Sequence, residues 1–119
     1  MSSILDAGAL IAYERRDQTV RAYLERAERT EIPVLTTAGV VAQVWREPAR
    51  QALLARLLRG ADEVELTRER ARAVGLLLGA SRSADVVDGS VVDAAENGDE
   101  ILTSDPDNIT PLATAASRP

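Results

Sequence analysis

Short apolar runs alternate with stretches of helical periodicity along most of this chain, and that alternation admits few folds. Ser2 to Leu5 reads as a strand ending at Asp6, and Ala7 to Glu14 as the helix that follows. Asp17 is placed to cap a second helix, in which Val20, Tyr23, Leu24 and Ala27 recur at one helical spacing. Pro33, Val34 and Leu35 predict a second strand. Thr36 or Thr37 then caps the helix of Val40, Val41, Val44 and Trp45, which Pro48 breaks. Leu53, Leu54, Leu57 and Leu58 define the next helix, with Gly60 expected to end it in a left-handed conformation. Glu63 to Thr67 alternates as an edge strand would, and Ala71, Val74, Gly75 and Leu78 mark a helix ending at Gly79. Ser83 is placed to cap Ala84 to Glu96, Asn97-Gly98 marks a turn, and Glu100 to Thr103 returns as a strand. Strands alternating with helices imply right-handed crossovers and a parallel sheet covered on both faces, an α/β fold.

Composition removes several chemistries. The chain has no His, Cys or Lys. A Ser-His-Asp arrangement, a thiol nucleophile, a disulfide framework and a Walker phosphate loop are therefore all excluded. A length of 119 residues predicts one domain with a real core. No apolar run approaches the roughly 20 residues that cross a bilayer, and no basic segment precedes an apolar stretch at the N-terminus. The cytoplasm is the expected compartment. Charge is uneven: Asp85 to Asp107 carries eight acidic residues and no basic one, whereas Arg46, Arg50, Arg56 and Arg59 face only Glu47 over positions 46 to 59. The Arg-bearing stretch could hold a polyanion, provided cations screen the acidic one; solvated helix faces are the plainer explanation.

Three carboxylates stand in contexts that solvation does not explain: Asp6 after the first apolar run, Asp88 inside VVDGSVV, and Asp105 ending ILTSD. In open parallel sheets, ligands bind beyond the carboxyl ends of the strands, where Asp6 and Asp105 both fall. Each alone is also an ordinary cap or turn opener. Asp88 adds independent weight. At about 100° per residue, Val87, Val91, Val92 and Ala95 share one broad helix face, and Asp88 projects between the directions of Ala95 and Val92. A carboxylate on an apolar face normally neutralises, pairs or binds a metal. Asp93 and Glu96 fall on the polar side and are expected to be solvated. Asp85 lies near the helix start, where exposed N–H groups favour a carboxylate; capping is its expected role and metal ligation the alternative. Carboxylates and hydroxyls without nitrogen or sulfur donors suit Mg²⁺ or Mn²⁺. Such a cation activates water and neutralises a phosphodiester, which makes nucleic-acid hydrolysis the leading expectation.

The segments ILDAGALIAY, LTTAGVVAQVW, DVVDGSVVDAA and ILTSDPDNI occur in that order and at fitting separations. Together they resemble the PIN-domain ribonucleases of the VapC toxin type, over Ser3 to about Leu112. The resemblance implies an α/β/α sandwich around a central parallel sheet, spanning 1–119 as a single PIN-like domain. It also implies an Mg²⁺- or Mn²⁺-dependent endoribonuclease that is frequently a homodimer and is inhibited by a small cognate antitoxin. Asp6, Asp88 and Asp105 match the first, third and last acidic positions, as catalytic residues and metal ligands. Thr103 and Ser104 occupy the hydroxyl positions that often accompany the last one.

Two features depart from that pattern. Gln43 stands where the family usually has a Glu, in the helix after strand two. An amide offers a carbonyl oxygen but no negative charge, and Glu47, one turn later, is the nearest substitute. At the C-terminal end, SRP stands where relatives often add a last strand. A degenerate member that binds RNA or an antitoxin-like partner with little cleavage is therefore the alternative. Phosphoryl transfer through an aspartyl phosphate fares poorly, since the chain has no Lys and Gly8 stands where a second Asp would be needed.

Overall fold

The computed structural model describes residues 1–103. Two of its strands run straight into helices, and in each case the junction residue caps the helix. Strand β1 (Ser3–Leu5), buried throughout, leads through Asp6 into α1 (Ala7–Glu14). After Asp17 caps α2 (Gln18–Arg29), β2 (Val34–Thr37) leads into α3 (Ala38–Val44), with Thr37 as the cap. A short 3-10 turn (Pro48–Arg50) and α4 (Ala52–Arg59) precede β3 (Asp62–Val64). Helices α5 (Arg68–Ser81) and α6 (Val86–Ala94) follow, and β4 (Glu100–Leu102) completes the sheet.

The four strands are all parallel and lie in the order β3-β2-β1-β4. The sheet grows from β1 through β2 to β3, then reverses and adds β4 on the other side of β1. Right-handed crossovers put the α1–α2 and α3–α4 connections on one face and α5–α6 on the other, which makes an α/β/α arrangement. The contacts agree: α1 touches α2, α3 and α4, and α5 packs along α6. Helix α3 also reaches α6, joining the two layers. Ile4, Leu5, Leu10, Val40, Leu54 and Val91 form the fully buried centre. Each contributes about 1.5–3 kcal/mol on removal from water. On the far side of α6, Val92 packs with Leu77 in a second small cluster. The α5–α6 contact is close enough to require a glycine. A Cβ on Gly89 would lie 2.9 Å from Val74 Cγ1 and 3.1 Å from Leu78 Cδ2.

Several boundaries differ from the sequence reading, each for a local reason. Gly60 closes α4 in a right-handed conformation (φ −94°, ψ −1°), because its N–H bonds back to Leu57 in a 3-10 closure that needs no left-handed residue. Left-handed backbone is found instead at Arg16, Glu31 and Arg82, the last closing α5, and positive φ at Gly98 in the expected Asn97-Gly98 turn. Helix α5 runs past Gly79 to Ser81, whose hydroxyl donates to Leu77 O at 2.9 Å. Strand β3 is an edge strand as expected, but it spans Asp62–Val64, since Thr67 caps α5. Asp85, not Ser83, caps α6; the Ser83 hydroxyl accepts from the Asp85 amide. The helix stops at Ala94, and the following turn is tied by Asp99, whose carboxylate accepts from Glu96 N and from Ser2 N.

Gln51, unremarkable in sequence, is a buried pin. Its Oε1 accepts from the amides of Arg46 (2.8 Å) and Glu47 (3.0 Å), while Nε2 donates to Val44 O (2.8 Å) and to the Glu14 carboxylate (3.3 Å). One side chain thus satisfies the frayed end of α3 and ties it to the end of α1. Among the described residues, no helix is long and apolar enough to cross a membrane.

Candidate functional site

The strand register builds a row of three residues at the carboxyl end of the sheet. Ser3 pairs with Val34 and Ile4 with Leu35, so Asp6 lies level with Thr37. On its other side Ser3 pairs with Glu100 and Leu5 with Leu102, so Asp6 lies level with Thr103. The Asp6 amide donates to Leu102 O at 3.2 Å, which seats Asp6 directly beside the end of β4. Neighbouring parallel strands stand about 4.8 Å apart, so the row is compact.

Asp6 is buried, with 4% of its surface exposed. Its Oδ1 accepts from Ala9 N at 2.8 Å and caps α1. Its Oδ2 takes no hydrogen bond from a described side chain or backbone group. The carboxylate therefore caps α1 with one oxygen while lying almost wholly out of solvent.

Helix α6 brings Asp88 to the same end. It contacts β1, β2 and α3, and it is apolar on nearly every side, with Gly89, Ser90, Val91, Val92 and Ala94 buried. Asp88 sits in its first turn and is half-buried. The expected apolar face is present, with Val91 and Val92 buried and Val87 and Ala95 partly so. Asp85 has the expected capping role: it is exposed, and its Oδ1 accepts the Asp88 amide at 3.0 Å. Asp93 departs from expectation. Its carboxylate is paired with Arg70 of α5, with Arg70 Nη1 3.0 Å from Asp93 Oδ2, because the α5–α6 packing brings a guanidinium over a helix face that sequence alone left to solvent. Glu96 is exposed as expected.

Thr37, the expected cap of α3, and Ser90, which the sequence reading left aside, are the buried polar link in this region. The two hydroxyls are 2.8 Å apart, and Ser90 Oγ donates to Val87 O at 2.6 Å. For Ser90 the sequence signal was a lone hydroxyl beside Gly89 among the valines of the helix. Gln43 is exposed on α3. Glu47 is exposed too and pairs with Arg50 at 3.3 Å. Three of the four arginines of positions 46 to 59 have neighbours of their own. Arg46 Nη1 caps α3 by donating to Ala42 O and Trp45 O, Arg50 is the partner of Glu47, and Arg56 lines a cleft of about 550 Å³ with Pro33 and Val34, at the opposite end of β2. Ser104 and Asp105 lie outside the described residues. Among the described residues, no group of three or more acidic, His or Cys side chains is gathered closely enough to hold a metal ion. Asp6 and Asp88 carry carboxylates and Thr103 a hydroxyl, oxygen donors of the type that hard divalent cations prefer.

Compared with known proteins, the chain matches no family model, and no curated protein or solved structure matches it.

Proposed function

We propose that this chain is a divalent-metal-dependent endoribonuclease of the PIN type, the toxin component of a type II toxin–antitoxin system. The observation that carries the reading is Asp6: a buried carboxylate at the carboxyl end of β1, beside the end of β4, where it also caps α1. Asp6, Asp88 and Asp105 are its catalytic carboxylates, with Thr103 and Ser104 as accompanying hydroxyls. Mg²⁺ or Mn²⁺ bound by them would supply an activated water and charge neutralisation at the phosphodiester. The residues' own part is to hold negative oxygens at fixed positions and to keep the apolar walls of α6 and β1 against them. The same reading brings RNA as substrate, a cognate antitoxin and a second copy of the chain as partners, and the cytoplasm as compartment.

A second reading has its own support. Gln43, at the position the family usually gives to Glu, is exposed on α3 and adds no charge. A degenerate domain that binds RNA or an antitoxin-like protein without cleaving it follows from that. Cleavage of single-stranded and structured RNA with Mg²⁺, Mn²⁺ or chelator, by the parent, Asp88→Asn and Gln43→Glu, separates the two. Metal-stimulated cleavage by the parent that Asp88→Asn abolishes supports the nuclease. Cleavage that appears only in Gln43→Glu supports the binding module, and no cleavage by any of them removes the nuclease reading.

A further inference from the structure

The peptide group that carries Asp88 is held at both ends. Val87 C=O and Asp88 N–H belong to one planar unit. The carbonyl accepts from Ser90 Oγ at 2.6 Å, and the N–H donates to Asp85 Oδ1 at 3.0 Å. Ser90 is in turn tied to Thr37, 2.8 Å away. The direction of this chain follows from counting protons. A carbonyl can only accept, so the single hydroxyl proton of Ser90 goes to Val87 O, and Thr37 must donate its own to Ser90 Oγ. Thr37 Oγ1 still accepts the Val40 amide at 3.2 Å and so caps α3. Every proton in the chain is thereby assigned, and both hydroxyls are buried, Thr37 at 2% and Ser90 at 5% exposed, so neither touches a substrate.

Thr37 is also the residue level with Asp6 in the neighbouring strand. The chain therefore runs from the strand end beside Asp6 to the helical turn that carries Asp88. We infer that Thr37, Ser90 and Asp85 form a clamp that fixes Asp88 relative to Asp6, making all three positioning residues for the cation site and Asp85 a second-rank partner that acts through the backbone and not as a ligand. The link to a cation rests on the proposed function. The clamp itself is a property of the metal-free fold, and the two are tested apart.

The test uses the full chain. Amide hydrogen exchange at Asp88, referenced to Val91, is measured without metal in the parent, Ser90→Ala, Asp85→Ala and Asp85→Asn, and Mn²⁺ binding is measured by calorimetry on the same proteins. Asp85→Ala, which removes the acceptor of the Asp88 amide, is expected to exchange about tenfold faster at Asp88, the size of one lost hydrogen bond; Ser90→Ala, which releases the Val87 carbonyl and not that amide, is expected to show a smaller increase. Asp85→Asn keeps the acceptor and the protection. Mn²⁺ dissociation constants are expected to rise about tenfold in Ser90→Ala, as when a partner behind a ligand is removed. Should Ser90→Ala fail to fold, Asp85→Ala, at an exposed position, carries the test. Unchanged exchange at Asp88 in Asp85→Ala overturns the proposal, as does unchanged Mn²⁺ binding in Ser90→Ala when the parent binds the ion. A loss of Mn²⁺ affinity in Asp85→Asn equal to that in Asp85→Ala overturns the positioning role of Asp85. Faster exchange in variants of a parent that binds no Mn²⁺ upholds the clamp and sinks the metal reading alone.

Discussion

Two adjacent strand ends in this molecule do the same backbone job with different chemistry. At the end of β1, Asp6 caps α1; one strand over and level with it, Thr37 caps α3. Both are buried. The Thr37 hydroxyl is fully committed, to Val40 N on one side and Ser90 on the other. The Asp6 carboxylate uses one oxygen for the same purpose and carries a second that capping does not employ. Capping alone does not require a charge, because Thr and Asp cap comparably and a buried carboxylate is costly to desolvate. The contrast teaches that a neutral hydroxyl suffices for the cap at one strand end, whereas the other uses a buried carboxylate, the residue on which the proposed function rests.

The sharpest way to break the comparison is to make the two ends alike. Asp6→Thr keeps the cap and removes the charge; metal-dependent RNA cleavage is expected to fall at least about 100-fold, with the melting temperature equal to or above the parent's. A large drop in melting temperature would show that Asp6 is structural after all. The opposite outcome is expected at a neutral pin. Gln51→Ala strands the buried Val44 O and leaves the partly exposed Arg46 and Glu47 amides to water, and is expected to cost about 1–3 kcal/mol in urea unfolding. A loss smaller than that of an exposed alanine substitution would remove Gln51 from the account.

Pairs nearer the surface should matter less. Removing the Arg70–Asp93 contact with Asp93→Asn is expected to cost below about 1 kcal/mol, since Arg70 remains 42% exposed, and the cost should shrink further in high salt. The smallest effect concerns Tyr23, whose hydroxyl sits between Ser3 Oγ at 2.7 Å and Glu100 Oε2 at 3.0 Å. Partial burial, with a further push from the Glu100 carboxylate, raises its pKa above the usual 10.0, against an opposing hydrogen bond from Ser3. A phenol whose folded pKa is raised is stabilising while neutral. That contribution is complete below the unfolded value and is lost as pH rises through the folded one. Stability above pH about 10 should therefore fall less steeply in Tyr23→Phe than in the parent. Equal slopes would mean that the phenol does not titrate differently in the two states.

Much of the architecture was legible because it depends on local rules. Periodicity and capping residues located the strands and helices, and Asp17 and Asp85 cap as their chemistry suggests. The apolar face around Asp88 followed from helical angles alone. What misled was also local. Gly60 looked like a left-handed stop, yet a 3-10 closure needs none, and the left-handed residue at the end of α5 is Arg82, which has no sequence signature.

The amino acids by themselves determined the class of fold, the absence of imidazole, thiol and amine chemistry, and which carboxylates stand in apolar company. Those properties reside in single residues and their near neighbours. Tertiary structure alone decided that Asp6 is level with Thr37 and Thr103, that Ser90 reaches across from α6 to β2, that Arg70 covers Asp93, and that Gln51 joins the ends of α1 and α3. Each of these depends on strand register or helix packing between residues far apart in the chain, and such pairings leave no periodic trace in one sequence.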